Sequence, residues 1–124
     1  MDRPPLTFKV GDKELRWTYG LQLDVQRLVP DAENTISAIM SDPYIRDYLV
    51  RRALTDKKGS ITDAEDLIKI EDVDIDPDEV LALLNWVAGH LMYFFLVTAR
   101  NLAAQGAEFK AGLPSVPSTT GSEA

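Results

Sequence analysis

The hydrophobic pattern begins with a period of two and then lengthens. Leu6, Phe8 and Val10 alternate with Thr7 and Lys9. Leu15, Trp17 and Tyr19 alternate with Arg16 and Thr18, and Gly11-Asp12-Lys13 separates the two runs. Two alternating runs around a glycine turn predict a β-hairpin over 6–19, with one face on a core and the other in water. A lone hairpin is marginal in water, so helices must cover its apolar face. Past Gly20 the spacing becomes helical. Leu21, Leu23, Val25, Leu28 and Val29 predict a short helix stopped by Pro30. Asp31 is a candidate N-cap for a second short helix carrying Ile36, Ile39 and Met40. Asp42-Pro43 is a stronger start, because Asp accepts from free N–H groups and Pro fits the first helical position. The helix it opens places Ile45, Leu49 and Leu54 on one face, Tyr48 and Ala53 beside them, and Arg46, Arg51 and Arg52 outward.

Residues 55–75 lose periodicity. Lys57-Lys58-Gly59-Ser60 reads as a turn, and the acidic stretch after it as an irregular surface loop with one helical turn near Ala64–Ile68. Asp76-Pro77-Asp78-Glu79 repeats the start signal, with acids that suit the helix dipole. The helix that follows is expected to reach about Ala104, before Gly106, at a length of roughly 40 Å. The Pro-, Ser-, Thr- and Gly-rich tail from Gly112 has too little apolar surface to offset ordering and reads as disordered. The predicted fold is therefore mainly α with an N-terminal β-hairpin (α+β). The hairpin lies on a small helical bundle with one long C-terminal helix. Residues 1–5 read as an extension, 6–104 as a single domain and 105–124 as a flexible tail.

The long helix carries more apolar surface than one core requires. Val80, Leu84, Val87, Leu91, Phe94, Phe95 and Leu102 form one stripe. Leu83, Trp86, His90, Tyr93 and Val97 form a second beside it, and only the strip through Asn85, Gly89 and Arg100 is polar. A helix apolar nearly all round is buried on more than one side. Three explanations stand: the helix runs through its own core, the second stripe is an oligomer or partner interface, or 80–99 is a transmembrane span. The twenty residues Val80–Ala99 contain no formal charge, so the length suits a span. Asn85 and His90 would then lie deep in hydrocarbon, and no Lys/Arg cluster marks a cytoplasmic flank. For a partner interface, the candidate residues are Leu83, Trp86, His90, Tyr93 and Val97, with Trp17 of the hairpin; Trp and Tyr dominate interface hot spots.

Composition narrows the chemistry. The chain has 124 residues, one domain's worth, and no cysteine, which removes disulfides, thiolate nucleophiles and Cys-based zinc sites. Residues 1–5 lack the basic and apolar regions of a secretory signal. Of the net charge of −7, all is carried by residues 55–79, with ten acids against three bases; the remainder is neutral. With no basic stripe to neutralise phosphates, nucleic acid is not an expected partner. Asp72-Val-Asp74-Ile-Asp76 looks like a calcium loop, but the positions an EF-hand gives to Gly and Glu hold Pro77 and Leu83. His90 is the sole histidine, with no second His or Cys to share a metal. There is no nucleophile elbow, P-loop or dinucleotide fingerprint. We expect no enzyme activity, no metal and no cofactor. The expected mode of action is binding to other proteins, with self-association open.

The order of elements resembles a known family. The strand pair Phe8-Lys-Val-Gly-Asp-Lys-Glu-Leu-Arg-Trp-Thr-Tyr-Gly20, the Asp42-Pro43 helix, an acidic loop and the Asp76-Pro-Asp-Glu79 helix running into Leu-Leu-Asn-Trp-Val-Ala-Gly-His-Leu-Met-Tyr-Phe-Phe resemble the tail assembly chaperones of long-tailed bacteriophages and related prophage or gene-transfer particles. The likeness covers about residues 6–104. It implies a non-enzymatic protein of the bacterial host cytoplasm. Such a protein binds the long, hydrophobic tape measure protein, keeps it soluble before the tail tube polymerises, and is displaced as tube subunits, a further possible partner, assemble. It also implies a short form and a frameshifted longer form, with 112–124 fitting the end of the short one. Another phage structural component, such as a head–tail connector or tail completion protein, is the alternative, and a small membrane-anchored protein a third.

Overall fold

The structure is a computed structural model that describes residues 2–29 and 32–112, without the side chains of 32, 33 and 107–112. The N-terminal hairpin pairs β1 (Thr7–Val10) with β2 (Lys13–Arg16), antiparallel, with Phe8 opposite Leu15 and Val10 opposite Lys13. That register leaves a two-residue loop, Gly11-Asp12, in which Gly11 takes φ +57°, a left-handed value that side chains disfavour. The second strand ends earlier than its alternation predicts. Thr18 leaves the sheet and caps α1 (Tyr19–Leu28) by accepting from the Leu21 N–H at 3.2 Å. Tyr19 is therefore the first helical residue and is 77% exposed, not a core strand position. Gly20 lies inside α1, where an added Cβ would overlap the Lys58 and Gly59 carbonyls.

Three more helices complete the bundle: α2 (Ala32–Ser41), α3 (Pro43–Leu54) and α4 (Pro77–Gly112). Both Asp-Pro starts are helix N-termini. Asp42 accepts from the Tyr44 and Ile45 N–H groups. Asp76 accepts from the Glu79 N–H at 2.8 Å, while the Glu79 carboxylate accepts from the Asp76 N–H at 3.3 Å, a reciprocal capping box. The other Glu79 oxygen accepts from the Gly11 N–H at 3.0 Å, so this cap also ties the hairpin turn to α4. The candidate cap Asp31, Pro30 and residues 113–124 lie outside the described residues.

The core collects Val10 and Leu15 from the hairpin, Leu21 and Val25 from α1, Ile39 from α2, Leu49 and Leu54 from α3, and Leu83, Leu84, Trp86, Val87 and Leu91 from α4. Helices α2 and α3 pack on α4, α1 packs on α3, and β1 lies on the remaining side of α4. The first four turns of α4 are thus covered on the faces that carry Leu83, Leu84, Trp86, Val87 and Leu91, while Leu81, Ala82 and Asn85 face solvent. Leu83, Val87 and Leu91 are each fully buried, and such side chains contribute about 1.5–3 kcal/mol apiece.

Helix α4 continues past the expected end at Ala104 to Gly112, about 54 Å at 1.5 Å per residue. A glycine such as Gly106 weakens a helix without stopping it, and no proline intervenes. Residues 55–75 are irregular, as periodicity implies, but hold two 3₁₀ turns, Ala64–Asp66 and Ile70–Asp72, and anchor Ile61 and Leu67 in the interior.

Candidate functional site

Two assemblies of side chains join distant parts of the chain: an aromatic cluster against α4 and a buried ion pair between α1 and α3. In the first, Trp86 stacks on Phe8 with ring centroids 5.3 Å apart and meets Trp17 edge-on at 5.4 Å. His90 stacks on Trp17 at 4.3 Å. The N-terminal residues run over this group antiparallel to α4. The Pro5 carbonyl accepts from Trp86 Nε1 at 2.8 Å and lies 2.8 Å from His90 Nε2. Pro4 lies against Gly89, and the Arg3 guanidinium sits 5.3 Å from the Tyr93 ring centroid.

These contacts cover the first part of the second stripe from within the chain. Leu83, Trp86 and His90 are at most 5% exposed, Tyr93 and Val97 are half-buried, and Trp17 is half-buried against the core. The cover is the chain's own hairpin and residues 3–5. Because a carbonyl only accepts, His90 faces Pro5 with a protonated Nε2. Burial pushes the His90 pKa below its ordinary value of 6.5; the Pro5 hydrogen bond opposes that shift and the Arg3 charge adds to it.

The second assembly was hidden in the pattern. Arg52, expected to point outward, is 1% exposed, and its Nε donates to Asp24 Oδ2 at 2.6 Å. Asp24 also accepts from the Ile61 N–H at 2.8 Å, the Ser60 hydroxyl and Arg27 Nη1. Arg52 Nη2 donates to the Gly59 carbonyl at 2.9 Å. Burial alone would raise the Asp24 pKa, but the bonds from Ser60, Arg52 and Ile61, with the Arg52 charge, outweigh it and hold the carboxyl below its ordinary value. Neighbouring Arg51 donates to the Ile68 carbonyl at 2.7 Å, and Arg46 to the Met40 carbonyl. The arginines of α3 therefore hold chain segments in place, most of all the start of the acidic loop. A sequence signal did exist: Asp24 follows Leu21 by three positions and Arg52 follows Leu49 by three, so opposite charges occupy core-facing positions of two helices.

Apolar side chains open to solvent lie elsewhere. On α2, Ile36 and Met40 are 58% and 67% exposed and share a face at i, i+4; Tyr44 follows at the start of α3. On α4 the core stripe itself surfaces: Leu84, Val87 and Leu91 are buried, whereas Phe94 is 37% and Leu102 63% exposed. Among the described residues, no group of His, Cys, Asp or Glu is placed to hold a metal ion. Asp76, the last of the calcium-like run, is engaged in its capping box. Compared with known proteins, the chain matches no family model, no curated protein and no solved structure.

Proposed function

We propose that this chain is a tail assembly chaperone that binds the tape measure protein and keeps it soluble before the tail tube polymerises. One observation carries the reading: the core stripe of α4 runs beyond the fold. Its Leu84, Val87 and Leu91 are buried under the fold while Leu81, Ala82 and Asn85 face solvent, and the buried stripe then emerges at Phe94 and Leu102. The helix persists through Gly112, far past the last core residue, Leu91. An apolar helical face of this kind suits an amphipathic or apolar helix laid along it. The exposed acids of the 63–79 region supply charge that keeps a loaded complex in solution.

Co-expression with the tape measure candidate encoded downstream, followed by affinity capture, tests the reading. Recovery of a soluble stoichiometric complex, with the tape measure protein insoluble when expressed alone, is the expected result. An insoluble tape measure protein despite abundant soluble chain sinks it. A second reading has its own observation: Pro77–Gly106 is long and apolar enough to cross a membrane, with an 18-residue stretch of mean hydropathy 1.9. A span would strip the hairpin and residues 3–5 from Trp86 and His90. Sedimentation of the full chain with membranes, released by detergent alone, would favour that reading.

A further inference from the structure

The hairpin has a free edge, and the cleft beside it carries charge opposite to that of the molecule. In β2, Leu15 pairs with Phe8 and Lys13 with Val10, and beyond the strand Trp17 N–H donates to the Leu6 carbonyl at 2.8 Å. Pairs in this phase exchange the ladder's hydrogen bonds, so the alternate residues, Glu14 and Arg16, aim their N–H and C=O groups away from β1. Among the described residues no hydrogen bond engages those four groups. They border a cleft of about 700 Å³, walled on its far side by the end of α3 and residues 55–58.

We propose that this cleft is a docking site for an extended acidic segment of a partner protein, which adds as a third strand to β2. The free main-chain groups supply strand pairing, and the lining supplies the choice of partner. Lys13, Arg16, Lys57 and Lys58 line the cleft against Glu14 and Asp56, a net positive lining in a chain of net −7, with Lys57 also 3.9 Å from Asp66 Oδ2. Arg52 also reaches the lining but is already paired with Asp24. The carbonyl end of α3 would repel an acidic guest. It is answered within the fold, since Lys13 Nζ donates to the Leu54 carbonyl at 2.7 Å and the Thr55 N–H donates to Arg51 and Arg52. Charged side chains commonly guard a strand edge against unwanted pairing. Here Lys57 and Lys58 come from a different segment and line the opposite wall of the cleft. Four residues of extended chain, at about 3.3 Å each, match the length of β2. This inference stands apart from the distal surface of α4 and from the tail-chaperone reading.

The test titrates the full chain, labelled for amide NMR, with a capped six-residue peptide alternating aspartate and valine. Two control peptides are used: one with lysine for aspartate, and one N-methylated at the amides of a single edge. The expected result is a shift of the Glu14 and Arg16 amides by the acidic peptide. Both control peptides should weaken binding about tenfold or more, as should Lys57→Glu combined with Lys58→Glu. Equal binding by the N-methylated peptide would overturn strand addition, and equal binding by the lysine peptide would overturn the acidic preference. Shifts confined to α4, or none at all, would overturn the site. The peptide controls decide the matter even if the charge-reversed chain fails to fold.

Discussion

Arg52 and Asp24 are each 1% exposed and face each other between α3 and α1. Removing one partner leaves a buried charge without its counterion, which costs about 3–5 kcal/mol. Asp24→Ala and Arg52→Met should each lower stability by that amount in urea unfolding, and Asp24→Leu with Arg52→Met should recover much of it. Single-variant losses under about 1 kcal/mol would show that the pair is not a structural requirement. The titration of His90 gives a second test at this scale. Its folded pKa lies below 6.5, so the unfolded chain binds the proton more readily. Its contribution to stability is fully present above pH 6.5 and is lost as pH falls through the folded value. Asp24 follows the same sign at lower pH, its contribution fading below the unfolded carboxylate value of about 3.9. The urea midpoint should therefore drop between pH 7.5 and pH 5. His90→Gln, which keeps an N–H donor without titrating, should remove much of that drop.

At the scale of elements, helix starts and the hairpin turn follow from residues a few positions apart. Asp42-Pro43 and Asp76-Pro77 cap their helices because a side chain three residues or fewer away accepts the free N–H groups. Glu79 does more than the capping box implies, since it also holds the Gly11 N–H of the hairpin turn. Glu79→Ala should cost about 1 kcal/mol or more, the value of a lost cap with a lost tertiary bond added, and amide exchange should quicken at Gly11 as well as at Asp76. The faces of α4 were not legible in this way. Helical spacing marked both apolar stripes equally, and only the fold chose which of them the hairpin covers. Trp86→Ser now carries a different expectation from that of an interface residue. It removes a buried indole stacked on Phe8 and bonded to Pro5, at about 3–5 kcal/mol, and far-UV helical signal should fall with it.

For the molecule as a whole, exposed apolar side chains lie at the far end of α4 and on α2, and singly at Leu6, Ile70 and Leu81. Phe94→Ser with Leu102→Ser should leave the thermal midpoint within a few degrees of the parent, because neither residue is buried. The same pair should reduce capture of an apolar helical partner severalfold in pull-down. A folded double variant that captures the partner at parental levels would move the interface elsewhere. If instead the pair unfolds the chain, the distal half of α4 is part of the core.

The sequence by itself determined the α+β class, the hairpin turn, the two Asp-Pro helix starts and the irregular acidic stretch. Each depends on periodicity or on groups within about four residues of one another. Tertiary structure alone decided that Leu83, Trp86 and His90 are interior, that Arg52 meets Asp24, and that β2 keeps a free edge. Those outcomes rest on contacts such as Pro5 with His90, 85 residues apart, and Asp24 with Arg52, 28 apart. A stripe of apolar side chains specifies that a face will be covered. What covers it depends on where the rest of the chain comes to lie.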